Sequence, residues 1–391
     1  MKVPLFDLRP QQAPLALEIS HALTQFLDNP RFILSEPVEQ FERAVADFLG
    51  VKHAIGVSSG TDALLCGLTA LGIGAGDEVI TTPFTFAATA EAILRSGATP
   101  VFADIEPHGF NIDPRAVAAL VTARTRAILP VHLFGAPAEL GELVALASHH
   151  KLVLLEDAAQ AFGARYRDQC VGTFGALGAF SFFPTKPLGG FGDGGMLVTN
   201  DDQLAQRCRQ LRSHGKNDQG QWAALGGNFR LDALQAAVLS VKLPHVPQWQ
   251  AERARLAAKY NATLADCVGL KLPPMPSHVA SAHALYTVRV KAFAGSGKAS
   301  ARDTLRAALR ERGVETGVYY GEILPNEPLL AAQVAAQLAA QRSHPQQNPT
   351  QSALPEAETA AGEVLSLPLF VGMTDEQQHW VIEVMRQLCG A

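Results

Sequence analysis

From residue 53 onward the chain alternates short apolar runs with longer helical stretches. That rhythm restricts its fold more than any other feature. Strand-like runs occur at 53–57, 78–82, 99–103, 126–133, 152–156, 179–183 and 196–199. Helical stretches around 61–71, 86–96, 114–122 and 138–150 separate the first five. Strand, helix, strand at this spacing means crossover units and a mostly parallel sheet. Strands buried on both faces should be apolar throughout, as Leu152-Val153-Leu154-Leu155 is. The expected fold is α/β: a large domain with a mostly parallel seven-stranded sheet flanked by helices, plus a smaller C-terminal α+β domain.

Residues 15–28 read as a helix, and Ser35-Glu36-Pro37 opens a second. Val38, Phe41, Val45 and Phe48 share one face of it, and Gly50 stops it. Beyond the sheet, 201–213, 230–243 and 246–265 read as helices, the last bridging to the C-terminal part. Pro273-Pro274-Met275-Pro276 punctuates the chain there. The large domain is expected over 1–245, and the bridging helix with the small domain over 246–391. The small domain should hold strands near 285–290 and 314–318 and helices near 300–312 and 374–388. The segment 331–352, rich in Ala and Gln and then in Gln and Pro, reads as a helical start followed by a mobile loop.

Composition excludes several classes. With 391 residues, 48% of them hydrophobic, the chain can bury a sizeable core. A net charge of −5 without a long basic run argues against a nucleic-acid or anionic-membrane surface. Cys66, Cys170, Cys208, Cys267 and Cys389 are scattered, so neither a metal site nor a disulfide framework is expected. A reducing cytoplasm is the natural location. The N-terminus lacks the apolar core of a signal peptide.

Chemistry concentrates in Phe180-Ser181-Phe182-Phe183-Pro184-Thr185-Lys186-Pro187-Leu188-Gly189-Gly190-Phe191-Gly192-Asp193-Gly194-Gly195. An apolar run ends in a lysine between two prolines, and a glycine-rich turn follows. Burial disfavours an ammonium and lowers its pKa. A neutral amine is the form that attacks a carbonyl to give a Schiff base. A nucleotide-binding loop would place its glycines before the lysine, whereas here they follow it. A merely structural lysine is the bland alternative.

Three further features fall at strand ends, where open parallel sheets bind ligands. Ser58-Ser59-Gly60-Thr61-Asp62 offers backbone N–H groups at a helix N-terminus to a phosphate. An ordinary N-cap by Ser59 or Thr61 is the simpler reading of that motif alone. Glu156-Asp157-Ala158-Ala159-Gln160 ends the most apolar strand. A carboxylate there needs a cationic partner, and only one of Glu156 and Asp157 need face the site. Periodicity does not say which. Thr82-Pro83-Phe84-Thr85-Phe86 brings phenylalanines for core packing or for stacking on a flat ring. One ligand satisfies all four features. Pyridoxal 5'-phosphate has an aldehyde for the lysine, a ring nitrogen for the carboxylate, a face for the aromatic and one phosphate.

The motifs together resemble a known family. Ser59-Gly60-Thr61-Asp62-Ala63-Leu64, Gly76-Asp77-Glu78-Val79-Ile80, Glu156-Asp157-Ala158-Ala159-Gln160 and Phe182-Phe183-Pro184-Thr185-Lys186 match the DegT/DnrJ/StrS pattern. Gly192-Asp193-Gly194-Gly195, Asn228-Phe229-Arg230-Leu231-Asp232 and Leu365-Ser366-Leu367-Pro368 continue it. These are fold-type I pyridoxal phosphate sugar aminotransferases. The resemblance implies that Lys186 carries the cofactor and shuttles protons, and that Asp157 partners the ring nitrogen. It further implies that Gln160 reaches the ring hydroxyl, Phe86 stacks on the ring, and Gly60, Thr61 and Ser181 hold the phosphate. Asn228 would hold that phosphate from the second subunit of a homodimer. Tyr319, Tyr320, Arg230 and His214 are the candidate substrate contacts. The implied reaction moves an amino group, usually from L-glutamate, to a nucleotide-diphosphate-linked keto-sugar.

The chain departs from the pattern after Tyr319-Tyr320. Gly321-Glu322-Ile323-Leu324-Pro325 stands where many relatives have Pro-x-Pro-Leu and a His or Asn. In relatives that region shapes the sugar pocket. Pro187, after the lysine, resembles members acting on 3-keto hexuronic acids. Two alternatives remain in view. A sugar dehydratase of the same family would have histidine in place of Lys186. A regulatory protein would bind the cofactor without turnover.

Overall fold

The computed structural model describes all residues except 29, 218, 294–299, 341–352 and 390–391. The central sheet has seven strands in the order His53–Val57, Gly195–Thr199, Leu177–Ser181, Val153–Asp157, Thr125–Leu129, Glu78–Thr81, Thr99–Phe102. Six run in one direction. Gly195–Thr199 runs against both of its neighbours. The expected sheet is therefore present, with the reversed strand in second place from one edge.

Local chemistry accounts for where the elements stop. Helix Glu36–Leu49 ends at Gly50, whose φ of 73° suits a residue without Cβ. The run expected at 126–133 shortens to Thr125–Leu129, because Pro130 has no N–H to continue the ladder, and the chain then turns at Leu133–Gly135 with Phe134 at φ 58°. The run expected at 179–183 lies two residues earlier, at Leu177–Ser181. Phe182 and Phe183 belong instead to the loop that Pro184 and Pro187 stiffen.

Packing places the helices on both sheet faces. Helix Gly60–Ala70 lies close enough that a Cβ on Gly67 would sit 3.3 Å from Leu197 and 3.5 Å from Leu155. A second apolar cluster gathers Tyr260, Tyr286, Val288, Leu305, Leu309, Leu365, Val381 and Met385, with Val3 added from the N-terminus. The long helix Val246–Leu264 gives Trp249 to the first core and Tyr260 to the second.

The strand expected near 314–318 does not form. Val314 makes a single bridge to Val3, and Gly317 a single bridge to Ser366. The segment divides its backbone between two partners and completes a ladder with neither. Val364–Leu367 takes the sheet position beside Tyr286–Val290 instead. Helix Pro328–Ala340 begins the segment expected to start as a helix. Residues 341–352, where the mobile loop was expected, lie outside the described residues. Among the described residues no helix is long and apolar enough to cross a membrane.

Candidate active site

The carboxyl ends of five parallel strands open into one cleft of about 460 Å³. His53–Val57 leads to Ser59, Gly60 and Thr61, and Glu78–Thr81 to Thr85 and Phe86. Thr125–Leu129 leads to Val131, Val153–Asp157 to Asp157 and Gln160, and Leu177–Ser181 to Ser181 and Lys186. Tyr319, Tyr320, Ala284 and Leu285 close it from the C-terminal side, and Phe6 from the N-terminus.

Asp157 lies at the base of the cleft and is 4% exposed. Its Oδ2 accepts the Thr89 hydroxyl at 2.8 Å, and Oδ1 accepts the Ala159 N–H at 3.1 Å. Burial pushes its carboxyl pKa up, against the pull of those two hydrogen bonds and of Lys186 and His132. Among the described residues it has no ion pair at contact distance. Glu156 turns away from the cleft and is fully buried. Its Oε2 takes the Gly172 N–H at 2.6 Å and the His132 ring at 3.0 Å. Its Oε1 takes the N–H groups of Phe174 and Gly175 at 2.7 and 2.8 Å. His132 Nδ1 accepts the Ala138 N–H at 3.0 Å, so Nε2 carries the hydrogen that Glu156 receives.

Lys186 enters the cleft from the loop after Leu177–Ser181. Its backbone N–H is tied to Phe183 O at 2.9 Å. Burial pushes its ammonium below the ordinary lysine value, and the Asp157 carboxylate partly opposes that shift. The amine thus tends towards the neutral, nucleophilic form.

Helix Gly60–Ala70 points its N-terminus into the cleft. Ser59 is its N-cap, accepting the Asp62 N–H at 3.0 Å. The simple capping reading therefore holds, and the same turn still presents N–H groups and the positive end of the helix dipole. A Cβ on Gly60 would lie 2.8 Å from the Ser181 Cβ, so only glycine lets this turn pack beside the strand end. Gly60, Thr61 and Ser181 line one end of the cleft together.

Gln160 Oε1 accepts the Phe134 N–H at 2.7 Å, which leaves its amide N–H₂ near the Tyr320 hydroxyl at 3.4 Å. Phe86 is 59% exposed, with its ring 6.3 Å from that of Tyr320. The cleft thus assembles Gly60, Thr61, Phe86, Asp157, Gln160, Ser181, Lys186, Tyr319 and Tyr320. His214, Asn228 and Arg230 are not among its walls. His214 and Asn228 are exposed on a segment paired through Ser213 and Asn228, and Arg230 bridges Val57. Asn228 does not cap the following helix, whose N-cap position is Asp232.

Sequence reading missed Thr89, Phe6, Thr85, Phe183 and Asp193 as cleft residues. Thr89 meets Asp157 across 68 positions of sequence, and no local pattern marks such a contact. Thr85, Phe183 and Asp193, in contrast, lay within stretches already singled out.

The donor set suits pyridoxal phosphate. Asp157 is a buried carboxylate that lacks a contacting cation, as a site for a protonated ring nitrogen requires. The same cleft holds the hydroxyls of Thr61 and Ser181, the turn at Gly60, the Phe86 ring and the depressed lysine. Among the described residues no group of His, Cys, Asp and Glu is arranged to hold a metal.

Residues 15–386 match the model of the DegT/DnrJ/EryC1/StrS aminotransferase family. The chain is 45% identical to a pleiotropic regulatory protein of Geobacillus stearothermophilus over 98% of its length and 97% of that protein's. It is 40% identical to a UDP-N-acetyl-3-dehydro-α-D-glucosamine 3-aminotransferase of Acidithiobacillus ferrooxidans, again over 98% and 97%. Its structure matches that of DesV from S. venezuelae with a TM-score of 0.90 at 39% identity, covering 100% of this chain and 99% of DesV.

Proposed function

Because this chain belongs to the DegT/DnrJ/EryC1/StrS aminotransferase family, we propose that its cleft moves an amino group from L-glutamate to a keto-sugar carried on a nucleotide diphosphate, with pyridoxal 5'-phosphate as cofactor. The observation that carries this reading is the pairing, in one cleft, of a depressed lysine with a buried carboxylate that lacks a contacting cation. The product is an amino sugar for polysaccharide or related biosynthesis.

When bound, the cofactor supplies a cationic ring that withdraws electrons from the carbon losing its proton. The chain's residues do the rest. Asp157 holds the ring nitrogen's proton, and Thr89 and the Ala159 N–H fix the direction of the carboxylate. Gly60, Thr61 and Ser181 would hold the phosphate with backbone and hydroxyl donors. Phe86 would cover a ring face, and Gln160 would offer its amide to the ring hydroxyl. Lys186, whose ammonium burial pushes below the ordinary lysine value, would carry the cofactor and take and return a proton at Nζ. Tyr319 and Tyr320 sit where the substrate's sugar would lie.

The protein acts as a homodimer with shared sites in this reading. Phe32 and Ile33 are half exposed, and their segment bridges to Asp232. Trp222 and Leu225 are 76% and 95% exposed on the segment between His214 and Asn228. Covering this surface by a second copy would bring His214, Asn228 and Arg230 towards the neighbouring cleft.

The test is a panel of UDP-, dTDP- and GDP-linked keto-sugars incubated with glutamate, with 2-oxoglutarate and amino-sugar formation measured. Release of both in equal amounts is expected for at least one sugar. The regulatory name of one relative gives a second reading, cofactor binding without turnover. A protein that binds the cofactor yet turns over no member of the panel would favour it.

A further inference from the structure

The turn that carries Lys186 is held by one helix. Gln235 and Lys242 lie seven residues apart on Ala233–Lys242, and therefore on the same face. Gln235 Oε1 accepts the Phe191 N–H at 2.8 Å. The same side chain fills the space beside two glycines: a Cβ on Gly190 would lie 2.8 Å from Oε1, and one on Gly192 2.8 Å from Nε2. Lys242 Nζ donates to the Gly189 carbonyl and stands 5.6 Å from the Phe191 ring centroid.

Lys242 is 2% exposed and, among the described residues, forms no ion pair. A buried ammonium held by one carbonyl and one ring face is a poor stabiliser, since an apolar residue of similar volume would avoid the desolvation. Its position accounts for it. Gly189 folds back so closely that a Cβ there would meet Pro184 O at 2.2 Å. Gly190 N–H bonds Phe182 O at 2.8 Å, which closes the loop on both sides of Lys186. The loop is thus fixed at Gly189 and Phe191 from the helix and at Phe182 from the strand end.

We propose that Gln235 and Lys242 are positioning residues for Lys186: by clamping the glycine turn they set the direction of its amine and keep water from it. The proposal rests on the reading of Lys186 as the cofactor-carrying base.

The test compares Gln235→Leu, Gln235→Glu and Lys242→Met with the wild type as full-length, folded proteins. Gln235 is only half buried, and glutamate keeps the acceptor oxygen that leucine lacks. The first measurement follows the labelling of Lys186 by trinitrobenzenesulfonate in cofactor-stripped protein across pH, mapped by peptide mass spectrometry. Its midpoint reports the amine itself. The other titratable groups lining the cleft, Asp157, Asp193, Tyr319 and Tyr320, are unchanged in every variant. Loosening the turn admits water, so Gln235→Leu and Lys242→Met should move the midpoint up by about one unit towards an ordinary lysine. Exposed Lys52 should label as before. In holoenzyme, kcat should fall roughly ten- to a hundredfold with little change in KM for glutamate. Gln235→Glu should stay near wild type in both measurements.

An unmoved midpoint and kcat in both apolar variants would overturn the clamp. So would a Gln235→Glu protein as impaired as Gln235→Leu. If borohydride puts no cofactor label on Lys186 of the wild type, the cofactor reading fails and the clamp with it. A labelled wild type with unmoved variants sinks the clamp alone.

Discussion

Glu156 and Asp157 share a peptide bond, yet their carboxylates have opposite surroundings. Glu156 is fully buried and receives hydrogen bonds from His132 and from three backbone N–H groups. Asp157 faces the cleft with two donors and no contacting cation. The first ties together the loops around 132–138 and 172–175; the second lines the cleft.

This difference separates the two neutralising substitutions. Glu156→Gln puts an N–H₂ where only donors wait, at about 1–3 kcal/mol for each group left unpaired. Its Tm should drop by several degrees, with or without cofactor. Asp157→Asn should behave in the opposite sense. A carboxyl whose pKa is raised in the fold contributes its full stability below its unfolded value, and that stability is lost as pH rises through the folded value. At neutral pH the cofactor-free Asp157→Asn protein should therefore melt at or above the wild type. It should bind cofactor more weakly and turn over roughly a hundredfold more slowly. Calorimetry on both variants, stripped and loaded, checks the pair; a destabilised, fully active Asp157→Asn would contradict it.

Borohydride reduction of the loaded protein should leave a pyridoxyl group on Lys186. A label on any other lysine would remove the assignment. Lys186→Arg should still take up cofactor but lose turnover, because arginine stays charged and cannot act as nucleophile.

The shared-site reading predicts complementation. Asn228→Asp sets a negative charge against the phosphate, and Lys186→Ala removes the amine, so each protein should be inactive alone. Refolding them together should restore activity, because one site of a mixed dimer keeps both intact residues. A dead mixture, with mixed dimers demonstrated by tag pull-down, would show that Asn228 does not act across the interface.

A fourth expectation concerns Glu106, which lines a small cavity with Phe110, Glu139 and His278. Burial pushes its carboxyl up to about 7, helped by Asp113, Glu139 and Glu142 and opposed by Arg115. The stability it contributes is complete below the unfolded value of 4.5 and is lost as pH rises through about 7. Glu106→Gln should flatten the fall in Tm across that window and leave amino transfer unchanged. Parallel melting curves of the two proteins from pH 4.5 to 7.5 would rule the effect out.

The strand rhythm and the lysine stretch were legible because buried strands and tight turns write their requirements locally. Leu152-Val153-Leu154-Leu155 can be little else than a strand buried on both faces, and Lys186 stands out between its prolines. The choice between Glu156 and Asp157 was not legible from periodicity, because it depends on His132 and Thr89, which arrive from other strands and helices. The strand expected at 314–318 failed for a similar reason. Its backbone is shared between Val3 and Ser366, partners more than three hundred positions apart in sequence, and it makes one bridge to each.

The surroundings of the cleft differ in how much change they tolerate. Where helix Gly60–Ala70 meets the strand ends, Gly60 abuts Ser181, and a Cβ on Gly195 would meet Ser59 O at 2.4 Å. In a neighbouring cavity that shares Thr85, Phe86 and Tyr320 with the cleft, Gly321, Glu322 and Glu327 are exposed, and a Cβ on Gly321 would meet only Val318, at 3.4 Å. Side chains at Gly321, Glu322 and Glu327 can therefore vary without crowding the close packing around Gly60 and Gly195. In the proposed reading, a lineage built on this scaffold changes its substrate by editing that exposed loop, while Lys186 and Asp157 keep the reaction.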